Sequence, residues 1–228
     1  MRMGKQVKYF STAEDMNNEA LKLICKTASE ALLSSGGFSL ALAGGATPLP
    51  LYRRLPEVSF LWEKTDFFWG DERCVGKFDV RSNYVGALKA FLDEVSVKPE
   101  NIHRIKTELS PEEAAADYAE ELAEFKKRTR RKKLFDLVLL GMGEDGHTAS
   151  LFPGSEALNE REKLVVAVPP PKSMEPAVAR VTLTFPALAD SEMVLFILKG
   201  EKKRALLKSK GNFPAKMVKS QKVIWFVT

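Results

Sequence analysis

Two cysteines, two histidines and no apolar run near the roughly 20 residues of a membrane span: these scarcities bound the chain first. Cys25 and Cys74 are too few for a disulfide framework and lack metal-ligand spacing. Cys25 falls on a predicted helix and reads as a small buried residue, and Cys74 has no catalytic role assigned. With so few histidines and cysteines, no metal is expected, and no other cofactor. Residues 1–5 lead into a polar segment without the apolar core of a signal peptide, so the expectation is a cytoplasmic protein with no membrane partner.

What is present is ordinary for a globular protein. The 228 residues are 45% hydrophobic and 29% charged, enough to bury a sizeable core, and residues 1–228 are expected to form a single domain. The net charge of +5 invites a nucleic-acid reading, but its location argues against one. Residues 126–133 read KKRTRRKK, and without them the balance turns slightly negative. A basic run closing a helix complements the helix dipole and reads as a solvated face. No aromatic interleaving or zinc spacing accompanies it, so no specific nucleic-acid partner is expected.

Periodicity alternates between strand and helix. Residues 7–10 read as a first strand, and Ser11-Thr12-Ala13-Glu14 as a capping box. Met16, Ala20, Leu23, Ile24, Ala28 and Ala31 then share one helical face. Strands follow at 38–43 and 65–69, with a helical stretch at 49–55 between them. Ser82 opens a helix to about residue 95. Residues 102–105 form a short strand whose His103 is structural, and Ser110-Pro111-Glu112-Glu113 starts a helix to about residue 131. Later strands fall at 164–168, 181–185, 194–198 and 223–227, with a helix at 201–209 and a stiff Pro169-Pro170-Pro171 element. The predicted fold is α/β, a Rossmann-like, mainly parallel sheet covered on both faces, with a small antiparallel addition.

The chain is organised around residues 135–152, FDLVLLGMGEDGHTASLF. Leu137 to Leu140 is the continuous apolar run of a strand buried on both faces. Gly141-Met142-Gly143 breaks it, and Glu144-Asp145-Gly146-His147 brings two acids and an imidazole to the strand's carboxyl end, where open α/β sheets bind ligands. Residues 148–152 can start a short helix. Alone, this stretch also reads as a capped strand-to-helix turn. Two other strand ends carry polar equipment. Gly44-Gly45-Ala46-Thr47-Pro48 suits an oxyanion: backbone N–H groups approach it, Thr47 caps and contacts it, and Pro48 fits a first helical turn. Asp71-Glu72-Arg73 follows the strand at 65–69, and Arg180 and Lys203 add two later cations.

Together these segments, with Ser82-Asn83 and Arg180-Val181-Thr182-Leu183-Thr184, resemble the 6-phosphogluconolactonase family, in its order and over nearly the whole chain. The resemblance implies a sheet shared with glucosamine-6-phosphate deaminase and ribose-5-phosphate isomerase. It implies hydrolysis of a phosphorylated sugar lactone, 6-phospho-D-glucono-1,5-lactone, by a monomer or small homo-oligomer. His147 would be the general base on water, since an imidazole can take a proton near neutrality. Asp145 or Asp71 would support it. Gly44, Gly45, Thr47, Arg180 and Lys203 would hold the phosphate, with Arg73 on either the phosphate or the developing oxyanion. Two departures stand out: Phe78 and Arg81, where the family often carries a His and an acid, and Ala46, where Ser is common. A deaminase-like isomerase is the rival by resemblance, but no carboxylate closely follows His147 here. A non-catalytic sugar-phosphate-binding protein would keep the Gly loop, Arg180 and Lys203 without needing His147.

Overall fold

The computed structural model describes residues 4–58, 62–171 and 175–228; the first three residues of the N-terminal reading lie outside it. In chain order the elements are β1 (Gly4–Tyr9), α1 (Ala13–Ser35), β2 (Phe38–Leu42), α2 (Leu49–Tyr52), β3 (Thr65–Trp69), β4 (Asp71–Arg73), α3 (Asn83–Ala90) and α4 (Pro111–Thr129). There follow β5 (Phe135–Leu140), β6 (Val165–Val168), β7 (Arg180–Leu183), α5 (Phe185–Ala189), β8 (Ser191–Leu198), α6 (Glu201–Lys208), α7 (Pro214–Met217) and β9 (Lys222–Val227).

Six strands form a parallel sheet in the order β1-β9-β8-β5-β2-β3. The apolar run in β5 sits mid-sheet with Leu137, Val138 and Leu139 fully buried. From β2 the chain moves outward to β3, then returns to β5 and builds towards the opposite edge. The strand order therefore reverses between β2 and β5, and such a switch point opens a crevice beyond the strands' carboxyl ends. A second, antiparallel sheet of order β4-β7-β6 stands beside it.

Local chemistry moved several boundaries. Thr12, not Ser11, caps α1, its hydroxyl accepting from the Asp15 N–H. The expected 49–55 helix is the single turn of α2 followed by a 3-10 turn at Leu55–Glu57; Pro48 occupies the N-cap without a side-chain cap, so Thr47 does not cap. α3 stops at Ala90 because Phe91 leaves helical geometry and packs against Tyr52, Trp62 and Phe67. The expected strand at 102–105 is a single bridge from Ile102 to Phe67. His103 is indeed held inside, stacked on Phe68 at 4.3 Å and placed between Asp66 (2.9 Å) and Glu121 (2.7 Å). Cys25 is only half-buried.

The basic run is not one solvated face. Lys127, Arg128, Arg130 and Lys132 are exposed. Arg131, however, turns inward to pair with Asp136 on β5, whose carboxylate also accepts the Ser39 N–H of β2 at 2.7 Å. Lys126 pairs with Asp190 at 2.6 Å, and Lys133 donates to the Ala189 carbonyl. Three of the seven cations are thus fasteners at the amino end of the sheet. No helix among the described residues is long and apolar enough to cross a membrane.

Candidate active site

The loops after β2, β3 and β5 meet at the switch point. A cavity of about 220 Å³ is lined there by Gly44, Gly45, Thr47, Asp71, Arg73, His147, Arg180 and Lys203, among others. Every candidate from the sequence except Asp145 lines it, and Asp145 touches His147 directly.

The His147 Nδ1 lies 2.6 Å from Asp145 Oδ1, and the His147 backbone N–H donates to the same oxygen at 3.0 Å. A carboxylate accepts only, so the pairing places a ring proton on Nδ1, and in the neutral imidazole Nε2 keeps the lone pair. Gly143 makes the pair possible. A Cβ there would stand 2.1 Å from Nδ1 and 2.6 Å from the Asp145 oxygen. The loop closes through the Gly143 N–H donating to the His147 carbonyl at 2.9 Å.

Residues 148–152, expected to start a short helix, form none. Ala149 takes a left-handed φ of 47°, and the neighbouring hydroxyls bond elsewhere. Thr148 Oγ1 donates to the Gly141 carbonyl at 2.8 Å, and the buried Ser150 Oγ donates to Asp71 Oδ2 at 2.6 Å. Ser and Thr hydroxyls that find such partners draw the backbone away from helix. Asp71 therefore stands on Ser150 and Asn83 (3.3 Å), while Asp145 is the carboxylate in contact with the imidazole.

The antiparallel sheet supplies the positive wall. In the β4–β7 ladder Arg73 lies directly across from Arg180, and Asp71 across from Thr182. Like charges placed opposite one another repel. Burial pulls the Arg180 guanidinium below its ordinary value; Asp71 opposes that shift and Arg73 adds to it. Each arginine also keeps a buried Nε–H with no acceptor among the described residues. The N–H groups of Gly44, Gly45, Ala46 and Thr47 likewise meet no backbone acceptor among those residues. Lys203, in the first turn of α6, faces the same cavity, and its neighbour Lys202 reaches Glu144 at 3.1 Å. Such an excess of donors is suited to a multiply charged anion.

Gly44 proves to have a second duty. A Cβ there would lie 2.0 Å from Asn83 Oδ1, so the loop after β2 can close only on the Asn83 amide. Asn83 and Ser150 were visible in the sequence as parts of motifs but without roles, because their partners lie on other chain segments. Of the two departures, Phe78 is 72% exposed and Arg81 pairs with Asp79 at 2.6 Å, while the Arg81 carbonyl accepts from Arg73 Nη1. Among the described residues no group of three or more His, Cys, Asp or Glu side chains is placed to hold a metal ion.

A family model described as glucosamine-6-phosphate isomerases/6-phosphogluconolactonase matches residues 11–225. The chain belongs to this family. Within it, a 6-phosphogluconolactonase of Nostoc sp. is 37% identical over 207 residues, covering 90% of this chain and 84% of that one. A chloroplastic 6-phosphogluconolactonase of Arabidopsis thaliana is 34% identical, covering 98% and 73%. The crystal structure of the Thermotoga maritima 6-phosphogluconolactonase superposes with a TM-score of 0.87 at 32% identity, covering 98% of this chain and 99% of that one. The family fold, a parallel sheet with a small antiparallel neighbour, is the architecture found here.

Proposed function

We propose that this chain is a 6-phosphogluconolactonase, hydrolysing 6-phospho-D-glucono-1,5-lactone to 6-phospho-D-gluconate in the oxidative pentose phosphate pathway. The observation that carries the reading is the His147–Asp145 pair standing on the same cavity as Arg73, Arg180 and Lys203. A base held in its Nδ1–H tautomer beside a cluster of unpaired donors fits an ester whose far end is a phosphate.

The free N–H groups of residues 44–47, with Arg180 and Lys203, hold the phosphate. Nε2 of His147 removes a proton from water as the oxygen attacks the lactone carbonyl, and Asp145 stabilises the imidazolium. Arg73 steadies the oxyanion of the tetrahedral intermediate. Collapse breaks the bond to the ring oxygen, which takes the proton back from His147. The deaminase-like alternative gains no support, since no acid follows His147 closely in the sequence.

The test is net lactone disappearance, with spontaneous opening subtracted and glucosamine 6-phosphate as the rival substrate. His147→Ala should lose about 10²–10⁴ in turnover, the usual contribution of a positioned base, and still bind 6-phosphogluconate. Near-normal turnover would remove His147 from the mechanism. Deamination without lactone hydrolysis would overturn the assignment.

A further inference from the structure

β4 is three residues long, and strand alternation sends its first and third side chains to one face and its second to the other. Asp71 and Arg73 line the cavity; Glu72 does not. It is 2% exposed, and its carboxylate is surrounded by donors rather than paired with a cation. Oε1 accepts the N–H groups of Arg73 and Asn83, both at 2.7 Å. Oε2 accepts the Tyr84 N–H at 2.7 Å and the Ser82 hydroxyl at 2.8 Å. Asn83 then reaches back from α3 to the Asp71 carbonyl at 2.8 Å. Burial pushes the Glu72 carboxyl up from its ordinary value, and the four hydrogen bonds oppose that shift.

We infer that Glu72 is a positioning residue for lactone hydrolysis, riveting β4 to the start of α3 so that Arg73 stays in the cavity. The inference rests on the function proposed above. Its physical basis is the repulsion between Arg73 and Arg180. Two guanidinium groups opposite one another in a ladder gain by swinging apart towards water, so an unanchored Arg73 would leave the site. Glu72 holds the Arg73 backbone, and the Arg81 carbonyl holds its guanidinium. A helix cap alone does not explain the arrangement, because beyond the Asn83 and Tyr84 N–H groups of the first turn of α3 the same carboxylate accepts the Arg73 N–H, which belongs to β4.

The carboxylate is required, not merely its shape. Each oxygen takes at least one backbone N–H, so in Glu72→Gln the amide NH₂ faces a backbone donor whichever way it turns. A double-mutant cycle tests whether the loss passes through Arg73. Glu72→Gln should lower kcat/KM for the lactone by about tenfold or more, and by only about threefold or less when Arg73 is already Ala, because coupled residues are non-additive. In a Lys203→Ala background the full loss should persist, since Lys203 stands on α6 and shares no partner with Glu72 among the described residues. Equal losses in the Arg73→Ala and Lys203→Ala backgrounds would reduce Glu72 to a structural residue and overturn the inference. If Glu72→Gln lacks a cooperative thermal transition, Ser82→Ala, which removes one of the four donors, enters the same cycle with the same pattern expected. If the wild-type protein does not hydrolyse the lactone, the function proposal fails by itself, and the cycle read as Kd for 6-phosphogluconate by calorimetry, whose carboxylate takes the place of the oxyanion beside Arg73, decides on Glu72.

Discussion

Replacing Gly143 by Ala adds one methyl group and should disable the enzyme while leaving the fold intact. Gly143 does not adopt a left-handed φ, so alanine meets no backbone penalty there. The consequence is steric and local. The new Cβ would stand 2.1 Å from His147 Nδ1, 2.2 Å from Cε1 and 2.6 Å from Asp145 Oδ1. Ordinary contact between such atoms needs about 3.5 Å, so the imidazole must retreat by about 1 Å or more. Both neighbours are side chains at the edge of a cavity and can turn away, which keeps the cost to stability small. Catalysis cannot absorb the same movement, since a misplacement of about 1 Å can cost about 10² in rate. Gly143→Ala should therefore lower kcat by about 10² or more, given that a positioned base is worth about 10²–10⁴. Affinity for 6-phosphogluconate, measured by calorimetry, should stay within a few-fold of wild type. Net lactone hydrolysis and a thermal melt on the same preparation complete the measurement. A folded variant with wild-type kcat would refute both the His147–Asp145 geometry and the role built on it.

Three further outcomes are expected. Arg180→Ala should lower kcat/KM for the phosphorylated lactone by at least about tenfold, as charge-assisted bonds contribute about 1.5–3 kcal/mol, while leaving the slow hydrolysis of unphosphorylated gluconolactone unchanged; equal losses on both would dissociate Arg180 from the phosphate. Burial opposes charge on His103, but hydrogen bonds and charges from Asp66 and Glu121 prevail and hold it above the ordinary imidazole value. Its contribution to stability is then complete below the unfolded-state value and lost as pH rises through the raised one, so His103→Ala should cost more in urea unfolding at pH 6 than at pH 9, and a pH-independent cost would refute this. Neutralising exposed Lys127, Arg128, Arg130 and Lys132 together should leave kcat/KM unchanged at moderate salt, whereas Arg131→Ala should lower Tm by leaving the half-buried Asp136 carboxylate without its cation; a fall in activity for the first or an unchanged Tm for the second would contradict the division.

The parts legible in the sequence were those whose signal is local. The apolar run of β5 announced its own burial, Ser110 and Glu113 announced the start of α4, and the glycines after β2 and β5 announced two walls of the cavity. What stayed hidden depends on partners distant in the chain. A three-residue strand has no periodicity to read, so nothing marked β4 as leaving the main sheet after Gly70 to pair with β7. Residues 148–152 carry acceptable helix formers, and only the Gly141 carbonyl and the Asp71 carboxylate, once folded into place, show why their hydroxyls turn elsewhere. Arg131 reads as one cation among seven until Asp136 of β5 is found against it.

The pairing of Arg73 with Arg180 also bears on how the molecule comes into being. The loop after β2 is made early in synthesis, but its opposing wall needs β4 and β7, which are far apart along the chain and meet only through a long-range ladder. Non-local pairings of this kind close late, because the entropy of the intervening chain must be overcome first. On the proposed function, until they close no complete cluster of donors exists for a phosphorylated sugar to grip. A ligand that recognises only the finished cluster stabilises complete molecules and gives nothing to partly folded ones. Substrate abundance would then lengthen the life of mature enzyme without rescuing nascent chains that stall before β7.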